Sequence, residues 1–272
     1  MQPNTSLPTV ASLWMGDALN WLHALSLASF VHRGHEVVLF CVGPAPQVPE
    51  GVRTAPIEEI WDPAPAGHAD APASMLSDLF RLYLLKQTDM MWVDTDMLCF
   101  RPFPDVDYHV GFEPPGTING AVLRLPKTSQ TLNQMIDWFE DPEFIGPWMN
   151  RKHTAILKDT PPGQRLLKSF ELRRPSIGPR ALDYTLKQTG EVQHVRSADV
   201  YYPIRGILTD VFFCNGCEED GWITDDTLGI HLYHSMIRRY HRNYMPIESS
   251  FIARFAREIG FDMSGLKQEE RG

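Results

Sequence analysis

Cysteine is scarce in this sequence: four in 272 residues, at positions 41, 99, 214 and 217. A chain of this length buries enough apolar surface to fold without disulfide or metal staples. Cys41 and Cys99 lie inside apolar runs and read as small core side chains. Positive charge is also in deficit, with 25 Lys and Arg against 34 Asp and Glu, a net charge of −9. Sequence-independent nucleic-acid binders are basic, and anionic lipid surfaces repel acid, so both partners are disfavoured. No apolar run approaches the roughly 20 residues of a membrane span, and membrane contact is expected to be peripheral at most. The opening MQPNTSLPTVASLWMG has neither a basic start nor an apolar stretch of signal-peptide length. A cytoplasmic location is the expectation. Repeats and low-complexity tracts are missing too.

What is present is alternation. "TVASLW" (9–14) predicts a strand, and Asp17 a cap for a helix running to His32, with Gly34 past its end. "EVVLFCVG" (36–43) is apolar on both faces, as in a covered parallel sheet. A Pro- and Ala-rich loop comes next, then a helix over 74–88 and the strand "MMWV" (90–93). Further strands are predicted near 108–113 and 118–125, and a helix near 128–140. The stretch 141–175 reads as a loop-rich insertion, with a Pro179-entered helix behind it. Asn215-Gly216 predicts a hairpin, "LGIHLYHSM" (228–236) a last strand, and 247–260 a C-terminal helix. The expectation is one α/β domain over 1–272 with a mostly parallel central sheet flanked by helices.

Ligands in such sheets bind beyond the carboxyl ends of the strands, which is where Asp94-Thr95-Asp96 falls. Two carboxylates at a strand end repel each other and favour a divalent cation between them. The alternative is structural: Asp94 capping the next turn, Asp96 pairing with Arg101. The same Asp-x-Asp spacing recurs at Asp105 and Asp107, but after Pro104 and without a leading apolar strand, so that pair reads as a solvated turn. The helix upstream carries Ser77, Asp78 and Arg81, the last two sharing a face at i,i+3 among apolar neighbours. A surface ion pair of that spacing is worth little; a partly buried one beside an acidic strand end is unusual.

Taken together, "SDLFRLYLLKQTDMMWVDTDMLCFRPF" resembles the core of glycosyltransferases whose sugar-binding region contains a DXD motif (glycosyltransferase family 32-like), distantly similar to the clostridial glucosylating toxins. "ASLWMGDALNWLHALSLASFVHRGHEVVLF", "INGAVLRLPKTS", "IGPRALDYTLKQTG" and "HLYHSM" resemble further parts of that family, so the likeness spans roughly 9–236. Two positions depart: "TDMM" stands where Gly-Gly is common, and Met236 where a late Trp is usual. The resemblance implies a GT-A type nucleotide-sugar-binding fold and a hexosyltransferase working with retention. It implies a nucleotide-sugar donor, UDP-linked in preference, and a saccharide or glycolipid acceptor in surface polysaccharide or lipopolysaccharide synthesis. It also implies a Mn²⁺ or Mg²⁺ ion. By the same resemblance Asp94, Asp96 and Arg81 are catalytic, with Asp96, Asp94 and His231 on the metal. Leu13, Trp14, Ser77, Asp78, Asn119, Gly120 and Ser235 join Arg81 and Asp94 around the donor.

Other readings compete. Cys214-x-x-Cys217 followed by His231 and His234 approaches a zinc spacing, although the His-x-x-His gap is one residue short. A haloacid-dehalogenase-like phosphatase also places Asp-x-Asp after an apolar strand, with Asp225-Asp226 as a later acidic pair. A catalytically inactive nucleotide-sugar-binding module would keep the same residues without turnover. His234 alone reads as structural, and "IRRYHRNY" (237–244) as a solvated basic stretch.

Overall fold

The structure, a computed structural model, describes residues 7–65, 67–213, 221–240 and 246–263. Cys214, Cys217 and the Asn215-Gly216 hairpin lie outside the described residues. The strands are β1 (Val10–Met15), β2 (Val37–Val42), β3 (Val52–Pro56), β4 (Met91–Val93), β5 (Met97–Cys99), β6 (His109–Glu113), β7 (Thr117–Arg124) and β8 (Gly229–His231). The helices are α1 (Trp21–His32), α2 (Ala73–Gln87), α3 (Gln130–Glu140), α4 (Arg151–Asp159), α5 (Arg165–Leu172), α6 (Pro179–Thr189), α7 (Ala198–Tyr201), α8 (His234–Tyr240) and α9 (Phe251–Glu258). Among the described residues no helix is long and apolar enough to cross a membrane.

Six strands form one sheet in the order β3-β2-β1-β4-β7-β6. The first four run parallel, and β7 and β6 are antiparallel to their neighbours. The fold is therefore α/β with a mostly parallel central sheet flanked by helices, as the alternation predicts. Successive strand residues feed opposite faces. Ala11, Val38, Phe40 and Trp92 join the core beneath α2, which contributes Leu79, Phe80 and Leu82. Val10, Val37, Leu39, Met91 and Val93 join the core beneath α1, with Leu27 and Phe30. Both faces are covered over β2 and β4, so those strands carry no polar alternation, while the edge strand β3 is largely open.

The chain leaves β1 towards β2 and β3, then returns through α2 to place β4 on the other side of β1. The reversal opens a crevice beyond the carboxyl ends of β1 and β4, the usual ligand position in open α/β sheets. Trp14 and Asp94 stand at those two ends.

Several expectations are corrected. Asn20, not Asp17, caps α1: its Oδ1 accepts from the N–H groups of Leu22 and His23. The stretch 141–175 holds α4 and α5, the former capped by Asn150; its Pro-, Trp- and Gly-rich residues fall before that cap and, as Pro161-Pro162-Gly163, between the two helices. β3 lies in what reads as loop. The last strand stops at His231, because Tyr233 takes a left-handed φ of 55° and turns the chain into α8. β8 is not in the main sheet; it pairs antiparallel with β5. The C-terminal helix is limited to 251–258, capped by Ser250.

Candidate active site

Asp94-Thr95-Asp96 is the tight link between β4 and β5. The Asp94 N–H donates to the Ala121 carbonyl at 2.7 Å, and the Met97 N–H to the Asp94 carbonyl at 3.1 Å. The turn thus leaves the sheet on a β7 bond and closes on itself, with both carboxylates half-buried at the rim. α1 anchors β5: Ser26 Oγ donates to the Met97 carbonyl, and Ser29 Oγ accepts from the Cys99 N–H. β5 pairs Met97 with His231, and the Leu232 N–H donates to the Asp96 carbonyl at 2.9 Å. This two-stranded pairing carries a histidine from far along the chain to the rim acids.

One ligand atom from each of Asp94, Asp96 and His231 lies within 4.8 Å of the others. His231 Nε2 is 3.2 Å from Asp96 Oδ1, and the other Asp96 oxygen accepts from the His234 N–H at 2.8 Å. Burial opposes charge on both partners. The attraction between them outweighs it, so Asp96 is held well below the usual carboxylate range and His231 above the usual imidazole range. The Arg101 guanidinium caps the carbonyls of Thr224 and Thr227, so the pairing of Asp96 with Arg101 is not made.

Arg81 organises the other acids. Its Nη2 stands 3.1 Å from Asp78 Oδ1 and 3.3 Å from Asp94 Oδ1. Its Nη1 donates to the Gly120 carbonyl at 2.8 Å, and its Nε to the Ser77 carbonyl at 3.1 Å. The guanidinium lies 5.0 Å from the centre of the Trp92 ring, whose Nε1 donates to Asp94 Oδ1 at 2.8 Å. One planar cation thus fixes two carboxylates and two backbone carbonyls at once, through three nitrogens where a lysine has one. Asp78 and Arg81 are 8% and 7% exposed, so the surface-pair reading is excluded. Burial pushes the Asp78 carboxyl up to about 6, with Arg81 opposing and Asp94 adding. Gly178, just before α6, packs so closely that a Cβ there would come within 2.4 Å of Asp78 Oδ1.

The remaining expected residues divide. Leu13 and Trp14 are consecutive in β1 and pack with opposite cores, so they do not share one ligand face. Trp14 stands on the α1 side, 4.6 Å from the His23 ring, with Nε1 buried and unbonded among the described residues. Asn119 donates to Glu113 Oε2 at 2.8 Å and accepts from the Ala121 N–H; Gly120 serves Arg81 through its carbonyl. Ser235 is exposed in the first turn of α8, and among the described residues no bond ties it to the acids. His234 contacts Asn20 Nδ2 at 3.0 Å and the His23 ring at 4.4 Å; it supports Asp96 through its backbone rather than its ring.

His23, Asn20, Glu113 and Trp92 are the participants that sequence reasoning missed. Burial and then His234 lower His23 to about 4, with Asp96 opposing, so it stays neutral. Only Trp92 carried a signal, sitting two residues before Asp94 on the same strand face. The decoy acids behave as expected: Asp105 pairs with Arg124 at the surface. Asp225 and Asp226 are exposed between Thr224 and Thr227, in a turn of their own.

No protein-family model matches the chain, and no curated protein does. Among solved structures it is similar to one described as "PaToxG Glycosyltransferase", with 13% identity, 70% of this chain and 72% of that one covered, and a TM-score of 0.44. It is also similar to one described as the structure of a transferase mutant with two cysteines replaced by serine, with 10% identity, 57% and 85% covered, and a TM-score of 0.35.

Proposed function

We propose that this chain is a metal-dependent hexosyltransferase. In this reading it moves a sugar from a nucleotide-sugar, a UDP-sugar foremost, to a saccharide or glycolipid acceptor with retention, in surface-polysaccharide or lipopolysaccharide synthesis. The observation that carries the proposal is the convergence of Asp94, Asp96 and His231 within 4.8 Å at the strand ends, with the Arg81–Asp78 pair locked against them.

Two carboxylate oxygens and an imidazole nitrogen suit Mn²⁺, and Mg²⁺ less well because it prefers oxygen. His231 Nδ1 is buried without a partner among the described residues, and Nε2 faces Asp96. No backbone bond holds the ring away from a cation. A divalent ion there supplies neutralisation of the charge that develops on a departing nucleoside diphosphate.

The protein's own groups do the rest. Arg81 holds Asp94 and Asp78 in a fixed relation, so the metal corner and the sugar corner cannot drift apart. Asp78, with its carboxyl raised to about 6, accepts from sugar hydroxyls when ionised and donates when protonated. Departure and attack on one face of the sugar need no protein nucleophile, and none is assigned.

The test is release of nucleoside diphosphate from UDP-glucose, UDP-galactose, UDP-N-acetylglucosamine and GDP-mannose, each with and without Mn²⁺. Metal-dependent release from at least one donor, lost in Asp96→Asn, is expected. No release from any donor with Mn²⁺ present would overturn the proposal.

A further inference from the structure

Beside the site, but separate from the metal corner, lies a cavity of about 760 Å³, within the roughly 300–1,000 Å³ span of small-molecule sites. One wall is a single stripe of α6, carrying Arg180, Asp183, Tyr184 and Lys187 at helical spacing; Trp148 faces them from the chain before α4. Tyr184 and Trp148 are 5.5 Å apart with their planes tilted by 52°, and Trp138 and Phe144 back Trp148 from behind.

Two connections tie the cavity to the site. Pro179 lines it, and the preceding residue, Gly178, abuts the Asp78 carboxylate. Glu113 also lines it and accepts from Asn119, next to the Gly120 that holds Arg81.

The charges are uneven. Lys187 is neutralised by Asp183 at 2.8 Å. Arg180 has no ion-pair partner among the described residues. Burial and then the Arg173 guanidinium lower the pKa of Arg180, with Asp183 opposing. Of the two cations that line the cavity, Arg180 is therefore the one without an ion-pair partner among the described residues, and it stands on the same helix stripe as the Tyr184 ring.

We infer that this cavity binds the acceptor, and that the acceptor is a saccharide carrying a negative charge, its ring lying on Tyr184 and Trp148 and its anionic group at Arg180. Aromatic faces take the C–H face of a sugar, and a guanidinium takes a carboxylate or phosphate in a forked pair. The part at Glu113, towards Asp78, is where the attacking hydroxyl then lies. The name "acceptor" rests on the transferase reading above; binding in the cavity does not.

The test is saturation-transfer NMR on the full chain without donor or metal, with methyl α-glucoside, glucuronate and glucose 6-phosphate as probes. Both charged sugars should bind at least about fivefold tighter than the neutral one at low salt, the scale of one screened ion pair. Arg180→Gln should remove that preference, and Tyr184→Ala should weaken all three. Trp148 is left alone because it is packed among aromatic neighbours. Urea midpoints show whether each variant still folds. Silence from every probe, equal affinities, or a charge preference that survives Arg180→Gln would overturn the inference. Since no donor is present, failure here leaves nucleotide-sugar turnover standing, and loss of turnover leaves this result standing.

Discussion

Replacing Asp78 by Asn removes a carboxyl that the fold holds against its own preference. Its pKa in the folded protein is about 6, against 3.8 without the surroundings, and burial is the main cause. A raised carboxyl binds its proton more tightly when folded, so stability falls as pH rises from the unfolded value through the folded one. About two units at 1.36 kcal/mol each amount to about 3 kcal/mol lost above pH 7. At pH 4 little of that has accrued, about 0.5 kcal/mol, because the folded carboxyl is still protonated and the unfolded one has only begun its ionisation, at about half. Asn keeps the shape beside Gly178 and an acceptor for Arg81, and it never ionises. The variant and the parent should therefore match near pH 4 and diverge, with the variant more stable by about 3 kcal/mol at pH 7.5, or about 6 °C in Tm for a chain of this size. Urea titrations at four pH values read this directly. Parallel profiles, or a less stable variant at pH 7.5, would refute the electrostatic argument. The same variant should turn over donor poorly, the trade expected where a site stores an unfavourable charge.

The same geometry sets three further outcomes. Asp96→Asn would cost nothing if the rim acids only repelled each other; because Asp96 is paired with His231 and the His234 N–H, it should lose about 1–3 kcal/mol by urea midpoint. That contribution is present at neutral pH and fades as pH drops below the ordinary carboxylate range. Arg81→Lys cannot reach Asp78, Asp94 and the Gly120 carbonyl together, and should cost about 3 kcal/mol, read by thermal melting, because charges stay buried unpaired. Asp105→Asn breaks an exposed pair with Arg124 and should change stability by less than about 1 kcal/mol and turnover not at all.

Much of the architecture is legible in the sequence. The apolar strands β1, β2 and β4 and the helices α1, α2 and α6 come from patterning. So does the position of Asp94 and Asp96 at strand ends, and the contrast with Asp105 and Asp107. The hidden part is long-range. β5 and β8 are three residues each and exist only as partners of one another. The end of β8 depends on the left-handed Tyr233, which no residue preference announces. β3 is masked by flanking prolines. His23 and Glu113 look like ordinary helix and strand residues until packing sets them against His234 and Asn119. Leu13 and Trp14 group by adjacency in the sequence, although neighbours on a strand face opposite ways.

The most direct measurement is Mn²⁺ binding followed by electron paramagnetic resonance, on the parent chain and on Asp96→Asn, His231→Ala and Asp105→Asn, each with UDP added. A bound ion is expected in the parent and in Asp105→Asn, and its loss in the other two. Binding that persists in Asp96→Asn and His231→Ala, or a parent that leaves all Mn²⁺ free, would contradict a metal-gripping role for the rim acids.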